Sequence, residues 1–283
     1  VYVIDDKLIE DTAAGKGGME HPSNLGVQLA RELQKEFGGR IFMVDPPCVD
    51  ELCDMARMTG IDGVPRHTNM HALNLRGVAM HHAKHVLGKK YEDCCFIVCH
   101  IDGGISVSAH RYGRIIDCND AAGGDGPYTP TRIGSVSVAD ILEYVRDKDI
   151  DEVKKLCTRT GGFVSHFGTS SSDAVHKMAE EGNKKAIRVW DGMKYQIVKY
   201  IGAMAAVLGG RVDGILLTGG LLRFEDITQT IREQCEWIAP VSTYPGEVEH
   251  EALAAGALRV LRGEEEPKHY TGRPVWDGWH DED

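Results

Sequence analysis

Long apolar runs are missing from this chain: nothing in it approaches the length of a membrane span, so no membrane-spanning helix and no membrane association are expected. Positive charge is scarce as well. Against 43 Asp and Glu there are only 32 Lys and Arg, a formal net charge of -11. No basic stripe exists to displace counterions from a phosphate backbone, so nucleic acid is excluded as a partner and any phosphate site must be local. The eight cysteines form no Cys-x-x-Cys pair and read as reduced core thiols, not zinc ligands. No sequence period of 20 to 50 residues suggests a solenoid. These absences point to a cytoplasmic globular protein. An opening methionine is lacking too, and "VYVIDDKLIE" reads like a strand and turn in mid-course, so residues upstream of Val1 are expected.

What the chain has in quantity is apolar residues, 42% of 283, and 33 glycines. That is ample for a buried core of one large or two ordinary domains. The stretch "CHIDGGISVSAHRYGRIIDC" places Gly103 and Gly104 between a short apolar run and an alternating one, a hairpin whose tip carries no side chains. Glycine there permits positive φ and lets main-chain N–H groups face an anion, although an ordinary tight turn has the same look. A second diglycine, Gly219-Gly220, ends the buried run "VDGILLTGG". If both corners face one cleft, their amides could hold the phosphates of a nucleotide.

Other elements follow from periodicity. Leu25, Leu29 and Leu33 predict the core stripe of a helix capped by Ser23 or Asn24 and running to Phe37. "RIFMVDPP" predicts a strand ended by two prolines, with Asp45 at its carboxyl end, either a ligand position or a turn-capping aspartate. A helix from about His71 to Leu87 precedes three strands near 94–100, 104–110 and 113–118. Short helices fill 136–181. In the long helix beyond, Ile187, Trp190, Ile197, Ile201, Met204 and Leu208 form a core stripe. A helix near 224–236, a strand near 238–244 and a helix near 249–262 complete a mixed sheet with helices on its faces. The charged, proline-interrupted tail predicts a loose terminus that Trp276 and Trp279 could anchor. Asp45 and Glu249 could carry magnesium, whose hard charge favours carboxylate oxygen. Arg132 offers the planar fork that suits a phosphoryl group or a carboxylate. His71 could equally be a core histidine, and Glu249 a first-turn residue favoured by the helix dipole.

Seven blocks, in order, resemble the butyrate kinases of the acetokinase family: "EHPSNLG", "VDPPCVDEL", "RHTNMHALN", "HIDGGISVSAH", "GDGPYTPTRIGS", "LTGGL" and "YPGEVEHEALAAGALRVLRGEE". The resemblance runs from near residue 1 to about 266. It implies an α/β fold of the duplicated ribonuclease-H-like, actin-like ATPase type, with mixed sheets in two lobes around a nucleotide cleft and the first lobe incomplete. Residues 1–48 and 247–263 would be the remainder of the first lobe, 49–246 the second, nucleotide-binding lobe, and 264–283 a tail. The implied function is reversible phosphoryl transfer from ATP, with Mg2+, to a short-chain carboxylate such as butyrate. Acetate, propionate or branched acids are alternative acceptors, and a non-catalytic nucleotide-binding protein is the alternative of another class. The resemblance further implies a homo-oligomer, a dimer or higher.

Residue by residue, it implies that Asp45 lies beside the reacting groups or on magnesium, and that His71 and Arg132 stabilise the transferring phosphoryl. It puts His21 and Asn24 by the substrate, His100, Gly103 and Gly104 at the phosphates, and Thr218, Gly219 and Gly220 by the adenosine. Glu249 would bind magnesium. Where the family pattern has glycine this chain has Asp102, whose charge would weaken phosphate binding unless it points away or meets magnesium. The family's opening phosphate loop, which ends in lysine, does not appear after Val1.

Overall fold

The computed structural model describes residues 1–16 and 23–279. The chain forms two compact units, one from 1–50 with 248–283 and the other from 51–247.

In the first unit, β1 (Tyr2–Val3) pairs antiparallel with β2 (Phe42–Met43), with Tyr2 opposite Met43. Between them lie α1 (Asp6–Ala13), capped by the Asp5 carboxylate on the Leu8 N–H at 2.9 Å, and α2 (Ser23–Phe37). Their core is Ile4, Leu8 and Val27, with Ala30, Ile41 and Met43 packed against it. This corrects the expected stripe on α2. Leu25, Leu29 and Leu33 are 70%, 60% and 46% exposed, while Val27 is buried against Leu8. The helix carries apolar residues on two faces, and fourfold spacing alone could not tell which one meets α1. The tail also departs from expectation. The Val3 N–H donates to the Lys268 carbonyl at 2.9 Å and the Lys268 N–H to the Val1 carbonyl at 2.8 Å, so the returning chain is bonded to β1. Trp276 and Trp279 pack edge to face on each other.

The second unit contains α3 (Asp54–Arg57), then α4 (Ala72–His82), whose last turn widens into a π-helical turn over Ala83–Leu87. Next come β3 (Cys95–Ile101), β4 (Ile105–Arg111) and β5 (Arg114–Cys118), each antiparallel to the one before it. Tyr112 and Gly113 turn β4 into β5 with φ of 50° and 86°, the left-handed pair that a two-residue hairpin needs. Four short helices follow: α5 (Val138–Val145), α6 (Ile150–Thr158), α7 (Gly162–Phe167) and α8 (Ser172–Glu180). The Asn183 side chain accepts from the N–H groups of Lys185 and Ala186 and opens α9 (Lys184–Val207). Then β6 (Gly214–Gly219), α10 (Glu225–Cys235) and β7 (Val241–Pro245) complete the unit. The last helix of the chain, α11 (Glu249–Leu261), belongs to the first unit.

The five strands run in the order β5-β4-β3-β6-β7, with β6 and β7 parallel to β3. Both faces of the central strands are covered, as parallel pairing requires. Ile97, Cys99, Ile101, Ile215 and Leu217 face Met193, Ile197 and Ile201 of α9 and Ile227 and Ile231 of α10 in one buried cluster. On the opposite face Phe96 meets the ring of His82 on α4. His82 is buried, with its Nδ1 2.7 Å from the Tyr244 hydroxyl, while its helix neighbours His81 and His85 are exposed. Among the described residues no helix is long and apolar enough to cross a membrane.

Candidate active site

The carboxyl ends of parallel strands gather ligands because their loops and glycine corners open there. In the second unit β3 and β6 are parallel neighbours, with His100 opposite Thr218, so both diglycines emerge at the same end of the sheet. Asp102 links them. One carboxylate oxygen accepts from the Gly103 N–H and the other from the Gly220 N–H, each at 2.8 Å. Two main-chain amides expected to meet phosphate therefore already hold an anion of the protein's own. The charge of Asp102 is absorbed by the corner it sits in.

Each glycine has a different neighbour. A Cβ on Gly104 would lie 2.6 Å from Arg132 Nη1 and 2.9 Å from His71 Cε1, so the missing side chain is what lets those two groups close in. On Gly219, at φ 108°, it would lie 2.3 Å from the Ile101 carbonyl oxygen. On Gly220 it would meet Asp102 Oδ2 at 2.5 Å. Gly103 faces open space.

Arg132 is positioned by a tight turn. Its N–H donates to Thr129 Oγ1 at 3.1 Å, and the Thr129 hydroxyl donates to the Gly103 carbonyl at 2.7 Å, which ties the arginine loop to the glycine corner. The guanidinium donates to the Ala121 carbonyl, and its Nε is buried without a hydrogen-bond partner. Among the described residues no carboxylate forms an ion pair with it. Burial pulls its pKa down, and Asp120 at longer range opposes the shift only in part. A guanidinium held this way is short of negative charge.

His71 caps α4, with Nδ1 2.8 Å from the buried Ser106 hydroxyl. Its ring stacks on that of His100, with centroids 3.9 Å apart and planes 19° apart. His100 is 1% exposed; burial, and then the Arg132 charge, lower its pKa to about 4, so it is neutral at physiological pH. Its Nδ1 lies 2.7 Å from Asn74 Nδ2. Thr218 is fully buried and donates to the Gly246 carbonyl at 2.9 Å, so its side chain turns inward. Beside the corner is a cavity of about 300 Å³ lined by Gly103, Thr131, Ser171, Asp173 and Arg223 among others.

The structure thus brings His71, His100, Gly103, Gly104, Arg132, Gly219 and Gly220 to one edge of the second unit. In the first unit Asn24 lies in the first turn of α2 and Glu249 opens α11. Asp45 follows β2 with φ 38°, a left-handed conformation that aspartate adopts more readily than most residues. His21 lies outside the described residues. Sequence reasoning missed Asn74 and Ser106. A polar side chain three residues after His71 on an otherwise apolar helix was the available signal for Asn74. Among the described residues one group of potential metal ligands appears, His100, Asp102 and Glu247, with ligand atoms within 4.8 Å of one another. A histidine in the set, and an Asp102 already bonded to two amides, suit magnesium poorly.

The sheet order, with three antiparallel strands followed by two parallel ones and helices on both faces, defines a ribonuclease-H-like α/β protein of the actin-like ATPase class. Solved structures agree on the fold. Acetate kinase from Porphyromonas gingivalis superposes with a TM-score of 0.77 at 20% identity, covering 92% of this chain and 74% of its own. A propionate kinase from Francisella tularensis gives 0.73 at 16% identity, covering 89% and 73%. In sequence, residues 64–242 match the Acetokinase family. A protein of Clostridium botulinum named probable butyrate kinase is 42% identical over 271 residues, 95% of this chain and 76% of that protein. One of the same name from Coprothermobacter proteolyticus is 40% identical over 272 residues, with the same coverage. The chain belongs to the acetokinase family.

Proposed function

We propose that this chain is a short-chain acyl kinase of the butyrate type, transferring the terminal phosphoryl group of ATP reversibly to a carboxylate. The observation that carries the reading is Arg132. It is half-buried, its Nε lacks a partner, no carboxylate pairs with it among the described residues, and it abuts His71 across the bare Cα of Gly104. That arrangement suits a dianionic group in transfer.

The chemistry needs little else. A carboxylic acid is already ionised at neutral pH, so no strong general base is required. A carboxylate oxygen forms a bond to the γ-phosphorus while the bond from that phosphorus to the β–γ bridging oxygen breaks, and ADP leaves with the electron pair. Catalysis consists of alignment and of neutralising charge on the equatorial oxygens. Arg132 supplies a fixed positive fork, and the stacked imidazoles of His71 and His100 supply ring N–H donors beside it. The Ser171 hydroxyl and Asp173 carboxylate in the adjoining cavity suit a ribose.

Asp45 and Glu249, both in the first unit, would hold Mg2+ in this reading, since their carboxylates are the oxygen donors it prefers. Bound magnesium supplies positive charge on the polyphosphate. The same reading includes a homo-oligomer in solution, measurable by light scattering. An acyl-hydroxamate assay with ATP and Mg2+ over straight and branched acids of two to six carbons tests the function. Butyrate or a near neighbour should give the highest kcat/KM. Failure of every acid to form hydroxamate, with ATP bound, would overturn the reading.

A further inference from the structure

We propose that Asn74 is a positioning residue that fixes His100 as the tautomer with its proton on Nε2, so that a neutral ring donates a hydrogen bond to the transferring phosphoryl. Asn74 is fully buried on α4, and nothing about its type suggests catalysis.

The carbonyl of Gly246 can only accept. The Thr218 hydroxyl lies 2.9 Å from it and so gives its single hydrogen there. Toward Asn74, 3.2 Å away, Thr218 Oγ1 is therefore an acceptor, which requires the amide nitrogen of Asn74 on that side. The second hydrogen of the same NH2 group points at His100 Nδ1, 2.7 Å away. That nitrogen must present its lone pair. Burial and the nearby Arg132 keep the ring neutral, and a neutral imidazole has one N–H, which is left for Nε2. The stacking of His71 on the other ring face holds the plane.

Two consequences follow. Nε2 is a donor, as an anion requires. It lies 3.8 Å from Glu247 Oε1, beyond hydrogen-bond reach. And Nε2 cannot also give a lone pair to a metal, so the grouping of His100 with Asp102 and Glu247 is not a cation site. The tautomer stands on hydrogen bonding alone; its use in phosphoryl transfer rests on the acyl-kinase reading.

The test uses the full chain labelled with 15N-histidine, with two-bond proton–nitrogen correlations at pH 7, and the His100 signals identified by their loss in His100→Gln. In the wild type Nε2 should be protonated and Nδ1 bare. In Asn74→Asp, which changes no volume and can only accept, Nδ1 should become protonated. In Asn74→Ala the two nitrogens should average, with kcat lowered about tenfold and KM for ATP within about twofold of wild type, the loss of roughly one hydrogen bond in the transition state. A merely structural role for Asn74 would not move the protonation pattern. A wild-type His100 protonated on Nδ1 overturns the proposal even if both variants fail to fold. So does an unchanged tautomer with unchanged kcat in Asn74→Ala. An Nε2–H ring in a protein that phosphorylates no acid would leave the tautomer standing and remove the acyl-kinase reading.

Discussion

Replacing Gly104 by alanine separates stability from function in this site. The added Cβ would lie 2.6 Å from Arg132 Nη1 and 2.9 Å from His71 Cε1, against an ordinary carbon contact near 3.5 Å. Relief needs a shift of roughly 1 Å in one or both groups. The backbone at Gly104 is not left-handed, and both obstacles are ends of side chains, so the fold can yield locally. The expected stability loss is about 1 kcal/mol, or a fall of roughly 2–4 °C in Tm. Catalysis has no such tolerance, because a misplacement of that size costs about 10²-fold in turnover. Gly219→Ala provides the contrast. Its Cβ would meet the Ile101 carbonyl oxygen at 2.3 Å from a backbone at φ 108°, and neither main chain can move away. That variant should lose about 3 kcal/mol or more. Gly103→Ala enters open space and should melt like the wild type. The measurements are thermal melts and hydroxamate-assay kcat for all three. A Gly104→Ala protein with full turnover would refute the claim that the bare Cα exists to bring Arg132 and His71 together.

Four further outcomes are expected. Arg132→Ala should lower kcat by two or more orders of magnitude with Tm nearly unchanged, and Arg132→Lys should restore little, since a point charge cannot reproduce the planar fork; recovery above a tenth of wild type by lysine would contradict this. Asp45→Asn should reduce turnover by two or more orders, and chelation should abolish activity in a way that added Mg2+ reverses; normal acyl phosphate formation by the mutant removes Asp45 from the site. Asp102→Ala leaves the Gly103 and Gly220 amides without their acceptor, two bonds worth about 1 kcal/mol each, so Tm should fall by roughly 4–8 °C in a differential scan. The pH dependence follows from buried neutral histidines. Burial, and then the Arg132 charge, lower His100 from 6.5 to about 4, and burial lowers His110 well below 6.5. The unfolded chain then binds more protons than the folded one at mildly acid pH, so stability is complete above about 6.5 and declines as pH falls toward 4. The Tm of His100→Gln should fall less steeply over that interval, and an equal slope would contradict the assignment.

The sheet was legible because its cues are local. An alternating strand, a Tyr112-Gly113 turn and a helix with Trp190, Ile197, Ile201 and Met204 in one stripe each declare themselves within about four helical turns or less of chain. The face of α2 was not, because Val27 and the Leu25-Leu29-Leu33 row satisfy the same helical period and only the position of Leu8 decides between them. The bonded tail escaped for a similar reason, since its partners are main-chain groups of β1 and composition does not register them.

In the candidate site, the sequence motifs pointed to Arg132, His71 and His100, which the fold places side by side, whereas Asn74, Ser106 and the bonding of Asp102 depend on pairings 26, 35 and 118 positions apart in the chain. The glycines carry the more general lesson. A residue without a side chain signals that something comes close, but not what. At Gly104 it is the arginine and histidine of the site, at Gly219 the main chain of the neighbouring strand, and at Gly220 the carboxylate of Asp102. Only at Gly103 is the space open. Three of the four bare positions therefore build the corner, and at Gly103 the N–H and carbonyl are already held by Asp102 and Thr129 while its Cα faces open space, so the charged group an incoming phosphate should meet first is the Arg132 guanidinium and not a free amide.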